Sequence, residues 1–142
     1  MHTQPVSAPD ELAIGAHLVS PRRGYSHHGI YAGGGRVIHY AGLSRSWRRG
    51  PVEEVTLAQF CLGHPLTVRD SSGAPYEGAA CVERARRRLG EDCFSVWSNN
   101  CEHFCHWCTH GFSRSAQIDA LRAPLRTILS AFLRDAPLLS GR

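Results

Sequence analysis

Three consecutive glycines at 33 to 35 separate SHHGIYA from RVIHYAG, and no other stretch restricts the fold as tightly. Two short runs rich in β-branched and aromatic residues, joined by glycines, read as a β-hairpin. Its register matters because side chains alternate between the two faces of a strand. If all three glycines form the loop, Ala32 pairs with Arg36 and Gly29 faces His39. His27 and His39 then lie on one face as diagonal neighbours, with His28 on the other. A two-residue loop would send His27 and His39 to opposite faces.

The remaining segments fit around this hairpin. GAHLVS (15 to 20) reads as a short strand and PRRG (21 to 24) as a turn. Residues 42 to 51 read as a loop. PVEEVTLAQF begins as a strand and ends as a helical turn, and PLTVRD (65 to 70) is another strand. EGAACVERARRRL (77 to 89) has helical spacing, with Ala80, Val82, Ala85 and Leu89 as the apolar stripe and Gly90 as the stop. A second helix runs to about His110 and stops at Gly111. From Ile118 to Leu139 apolar residues again recur at helical intervals, interrupted by Pro124, where a fresh helix is expected. The class is α+β, a small antiparallel sheet packed against helices. The division expected is a flexible N-terminus over 1–12, a catalytic domain over 13–117 and an amphipathic helical tail over 118–142.

A chain of 142 residues suits one domain with a real core. Apolar residues at 42% and charged residues at 20% exclude the disordered class. The net charge of +4 rests on arginine alone, since the chain has no lysine. That is either a compositional bias or a means of docking phosphate groups, which guanidinium binds bidentately. No basic tail or aromatic-interleaved basic run points to nucleic acid. The start MHTQPVSAPDELAIG lacks the pattern of a secretory signal. No apolar run approaches the ~18 residues of a membrane span. The expectation is a cytoplasmic protein whose six cysteines are thiols.

SNNCEHFCHWCTHGF (98 to 112) gathers three cysteines and three histidines. Metal ligation, disulfide formation and thiolate chemistry are all open to such a cluster. Cys105-x-x-Cys108 has a zinc-ligand interval, but a structural zinc site usually brings a second pair from elsewhere. On a helix, residues 101, 105 and 108 share a face and can equally pack into the core. Asn99 is a good N-cap with Glu102 at the capping-box interval, which sets Cys101 at the second helical position. There the helix end lowers a thiol's pKa and favours the nucleophilic thiolate. The hairpin supplies a base in His27 and an orienting group in His39, the logic of an activated nucleophile.

HHGIYAGGGRVIHY and SNNCEHF together resemble the lecithin:retinol acyltransferase family, a branch of the NlpC-like, circularly permuted papain-type enzymes. The resemblance covers roughly Gly15 to Ile118 and includes the arginine-rich helix before Asn-Cys-Glu-His-Phe. It implies Cys101 as nucleophile, His27 as general base and acid, and His39 as the group orienting His27. Asn100, Glu102 and His103 flank the nucleophile as supporting residues, and the Cys101 N–H is a candidate oxyanion donor. His28 stands where the family carries an aromatic residue, so spacing and face decide for His27. The implied chemistry is acyl transfer from a glycerophospholipid ester through a thioester, without metal or cofactor. The membrane-spanning C-terminal anchor of several animal members has no counterpart here, which leaves peripheral contact with a membrane surface.

Two rivals stand beside this reading. The same Cys–His–polar arrangement cleaves peptide bonds in the wider superfamily, and a zinc-binding or interaction module would need no catalysis. Cys61, Cys81 and Cys93 are expected as buried thiols, His106 and His110 as solvent-facing, and Tyr31 and Tyr40 as core or cleft aromatics. The tail can dock on the core or lie on an anionic bilayer.

Overall fold

The computed structural model describes residues 3–5, 11–42 and 50–124. Six strands form one antiparallel sheet in the order β1-β6-β2-β3-β4-β5. They are β1 (Thr3–Pro5), β2 (His17–Arg22), β3 (Tyr25–Gly33), β4 (Arg36–Gly42), β5 (Gly50–Thr56) and β6 (Thr67–Arg69). Three helices are α1 (Leu57–Cys61), α2 (Gly78–Arg87) and α3 (Cys101–His110). A further helical segment covers 116–124. The α+β class expected from the sequence is what the chain adopts. Among the described residues no helix is long and apolar enough to cross a membrane.

The sheet separates two cores by strand parity. Ile30, Ile38, Tyr40 and Val52 face α2 and α3, where Cys81, Val82, Ala85, Phe104, Cys105 and Cys108 complete the larger cluster. Leu18, Tyr31, Val37 and Val55 pack on the opposite side with Phe60 of α1. Thr56 caps α1 through a capping box with Gln59, which brings Phe60 down onto the sheet. Phe60 lies over Gly29, where a Cβ would sit 2.7 Å from its ring and 2.6 Å from Val37 Cγ1. Only glycine leaves that space between His27 and Tyr31.

The hairpin reaches the expected register by a different turn. Ile30 lies opposite Ile38 and Tyr31 opposite Val37, but Gly33 pairs with Arg36. The loop is therefore the two residues Gly34 and Gly35, at φ of 59° and 73°, as mirror-image hairpin turns require. An irregularity between Tyr31 and Gly33 inserts the odd residue, Ala32, and restores the parity that a two-residue loop alone would have reversed.

Several other expectations shift. The segment expected to be flexible contributes β1, which pairs with β6. The turn after β2 is shorter than PRRG, because Pro21 pairs with Ser26 and Arg22 with Tyr25. In α2 the buried face is Cys81, Val82 and Ala85, while Ala80 and Leu89 are exposed. Ala80 lies five positions before Ala85, more than a third of a turn off the stripe that meets α3. Cys93 is exposed and Cys61 half-buried, so neither is the buried thiol expected. Pro124 is the last described residue of its helical segment, and the tail beyond it lies outside the described residues.

Candidate active site

The nucleophile candidate owes its place to two adjacent asparagines that divide the work. Asn100 is the N-cap of α3: its side chain accepts from the Glu102 N–H at 2.9 Å and the His103 N–H at 3.0 Å. His103 Nδ1 accepts in return from the Asn100 N–H at 3.1 Å, so His103 closes the capping box. The sequence expectation, Asn99 paired with Glu102, is corrected by one residue. Asn99 is engaged elsewhere, donating to the Cys93 carbonyl at 3.0 Å and accepting from Arg88 Nη2 at 3.0 Å. Cys101 is thus the first residue of the helix, where its N–H has no acceptor within the helix.

The Cys101 side chain is 9% exposed, with its S–H directed at the Ser26 carbonyl, 3.9 Å away. Burial pushes the thiol up to about 11, against the pull of the backbone N–H groups of His28, Glu102 and Cys101. The lowered pKa expected from the helix end is therefore overturned: desolvation of a charged sulfur outweighs the partial positive charge there. A thiol in this state needs a base at the moment of attack.

A candidate for that base stands on β3. His27 Nε2 and His39 Nδ1 are 2.6 Å apart, and His39 Nε2 is 2.9 Å from Glu53 Oε1. Glu53 lies directly opposite His39 in the β4–β5 ladder. A carboxylate can only accept, so His39 carries its proton on Nε2 and presents a lone pair at Nδ1. That lone pair takes the proton of His27 Nε2–H, which makes Nδ1 the basic nitrogen of His27. Phe60 packs against both rings, with centroids 5.1 Å from His27 and 5.7 Å from His39.

His27 and Cys101 line one cavity of about 500 Å³. The β3–β4 ladder ends at Ile30 and Ile38, and the cavity opens beyond it, between Ser26 and His27 of β3 and Tyr40 and Ala41 of β4. Its upper walls are Tyr25, Phe94, Val96, Ile118 and Leu121. Of these apolar walls Tyr25, Val96 and Leu121 are exposed, while Ile118 is buried. Gln117 also lines the cavity and clamps β3 there, accepting from the Ser26 N–H at 3.1 Å while its Nε2 lies 3.5 Å from the Ser26 carbonyl.

The neighbouring His28 belongs to a separate network on the other face. Its Nδ1 is 2.8 Å from His17 Nε2, and its Nε2 is 3.6 Å from Glu102 Oε2. Glu102 also takes Arg69 Nη1 at 2.9 Å, Ser115 Oγ at 2.6 Å and the Gln117 N–H at 3.2 Å. Burial works to raise the Glu102 carboxyl, but His28, Ser115, Gln117 and Arg69 outweigh it and hold it at about 2. Burial lowers His28 to about 4 and holds His17 well below the usual histidine range, so both rings are neutral at physiological pH. The permanent Arg69 guanidinium is therefore the cation that balances Glu102. Glu102 does not close the cap: it ties the start of α3 to β6 and to the segment over the cavity.

The rest of the cysteine–histidine cluster separates from the site. Cys105 and Cys108 are fully buried in the core, and burial raises both thiols. His106 and His110 are half-buried rather than solvent-facing, stacked at 4.2 Å. Among the described residues no three His, Cys, Asp or Glu side chains form a group able to hold a metal ion. Tyr31 and Tyr40 are both buried, and Tyr40 reaches the cavity wall. Sequence reasoning missed Glu53, Gln117 and the Arg69–Ser115 support. The pairing of VEEV with RVIHY was the signal for Glu53; the others arise from contacts distant in the chain.

The family model for lecithin retinol acyltransferase matches residues 10–114. Human phospholipase A and acyltransferase 2 is 31% identical over 121 residues, covering 74% of this chain and 75% of the relative. With a family model matched over residues 10–114 and a relative 31% identical across 74% of its length, the chain belongs to the lecithin retinol acyltransferase family.

Proposed function

We propose that this chain is a thiol-dependent acyltransferase and phospholipase that takes an acyl chain from a glycerophospholipid ester onto Cys101. The observation that carries the reading is the single cavity lined by Cys101 and His27, with His27 held in one tautomer by His39 and Glu53. The membership of the family and the human relative named for both activities support it. We infer also that the fold is the circularly permuted papain-like one, with the sheet histidines preceding the cysteine in the chain.

In the first step His27 Nδ1 accepts the Cys101 thiol proton as sulfur attacks the ester carbonyl carbon. The resulting imidazolium is stabilised by His39 and, through it, by the Glu53 carboxylate. The tetrahedral oxyanion takes the Cys101 N–H as one donor. The Gln117 carboxamide, beside the same Ser26 carbonyl as the sulfur, is the second. Collapse breaks the carbon–oxygen bond, His27 returns the proton to the departing lyso-lipid oxygen, and the acyl group remains as a thioester. Water, an amine or an alcohol then enters, gives its proton to His27 and takes the acyl group, and Cys101 regains its proton. The apolar walls of Tyr25, Phe94, Val96, Ile118 and Leu121 suit an acyl chain, which favours a lipid ester over a peptide.

The test is turnover of phosphatidylcholine with intact-protein mass spectrometry alongside. Cys101→Ala and His27→Ala are each expected to abolish turnover and retain the fold, and an acyl-sized mass is expected on Cys101 of the unmodified chain. Undiminished turnover by Cys101→Ala would overturn the proposal.

A further inference from the structure

Among the described residues eight large hydrophobic side chains are exposed, and four of them meet at one place. Tyr25 (45% exposed), Val96 (44%) and Leu121 (62%) line the mouth of the catalytic cavity, and Trp97 (56%) adjoins Val96. They come from three separate parts of the chain: the start of β3, the loop before α3 and the 116–124 helix. Arg122 joins two of these parts, its Nη2 donating to the Trp97 carbonyl at 3.2 Å. Isolated exposed hydrophobics are ordinary, but a ring of them around one opening marks a surface that meets something apolar.

Among the described residues two arginines flank this ring. Arg23 is exposed in the turn beside Tyr25, and Arg122 stands beside Trp97. The nearest carboxylate on the 116–124 helix, Asp119, is neutralised by Arg114 at 2.9 Å. An aromatic and aliphatic rim flanked by guanidinium groups matches the boundary between the headgroups and acyl chains of an anionic bilayer.

We propose that Tyr25, Val96, Trp97 and Leu121, flanked by Arg23 and Arg122, form the surface by which the enzyme rests on an anionic phospholipid bilayer. The mouth of the cavity then faces the lipid, and an acyl ester rises from the bilayer toward Cys101 without crossing water. The proposal rests on the lipid-ester reading of the site, and its test separates the two.

The probe is binding of the full chain to vesicles of phosphatidylcholine with phosphatidylserine, read by co-sedimentation. Turnover is read on the same vesicles and on a short-chain phosphatidylcholine dispersed as monomers. Arg23 and Trp97 lie outside the cavity lining, so the double variant R23Q/W97S probes docking alone. It is expected to bind vesicles at least tenfold more weakly, the arginine contributing about fivefold. It should lose vesicle turnover in proportion and retain monomer turnover. Leu89→Ser, which removes an exposed leucine at the far end of α2, should bind as the unmodified chain does. Unchanged vesicle binding by R23Q/W97S, or an equal loss with Leu89→Ser, overturns the docking surface. Rim-dependent binding with no turnover of either substrate would support the surface and refute the lipid-ester reading.

Discussion

Removing the Glu53 carboxylate should slow the enzyme and also move its pH profile, in a direction fixed by the relay. Glu53 sits 2.9 Å from His39 Nε2, and His39 Nδ1 sits 2.6 Å from His27 Nε2. The carboxylate is thus roughly 7 Å from the His27 ring, a separation worth about 2 kcal/mol for a charge pair at an effective dielectric of about 20. The Glu53 side chain is 30% exposed, so solvent screening reduces this to about 1–1.5 kcal/mol. Glu53→Ala should therefore lower kcat/KM about tenfold through a less stable imidazolium. Losing the carboxylate favours neutral His27, so the acid limb of kcat/KM should move to lower pH. The assay is kcat/KM on monomeric short-chain phosphatidylcholine across pH 4 to about 9, with circular dichroism to check the fold. An acid limb that stays in place or moves to higher pH, in a folded variant, would refute the relay.

Two further outcomes follow from the polar groups around the cysteine. Gln117→Ala should lower kcat about 100-fold with little change in KM, as expected for a donor used only by the oxyanion; a change confined to KM would assign Gln117 to substrate binding. Arg69→Ala leaves Glu102 buried without its permanent cation and should cost about 3 kcal/mol in urea unfolding, whereas a loss under about 1 kcal/mol would show His28 to be the effective counter-charge. Acid should destabilise the unmodified chain in a defined window: burial keeps His28 neutral down to about 4, so its contribution is complete above the unfolded value of about 6.5 and fades as pH falls to 4. Glu102, held at about 2, adds a further loss as pH falls from about 4.5. Flat stability between pH 7 and about 4 would contradict the burial of neutral His17 and His28.

The parts of the site that could be read in advance were those encoded by local periodicity. The hairpin, the strand-to-helix run of PVEEVTLAQF and the end of α3 at Gly111 all declare themselves within a few residues. The cap was misread by one position because both asparagines make acceptable N-caps and both Glu102 and His103 can close a box. What decides between them is Arg69, from a strand more than thirty residues upstream, which draws Glu102 into the core. The thiol was misjudged for a related reason. Helix position is visible in sequence, but the burial that raises Cys101 depends on how β3 packs against α3. The register that sets His27 beside His39 held, although the turn producing it has one residue fewer and a bulge in compensation.

That bulge makes the length of the glycine turn a discrete variable. His27 and His28 are adjacent, yet one joins the His39–Glu53 chain proposed as the relay and the other is sealed as a neutral ring beside a buried carboxylate. One residue added or removed between Tyr31 and Arg36, with no second irregularity to absorb it, would turn His27 away from His39 and bring His28 round in its place. Composition would be almost unchanged and both histidines would survive, but the orienting contact would be gone. Surface turns usually tolerate insertions of any length. Here relatives that vary this turn must do so by two residues at a time, or by one together with a gained or lost bulge, so an odd length change without such compensation marks a chain that has lost the relay.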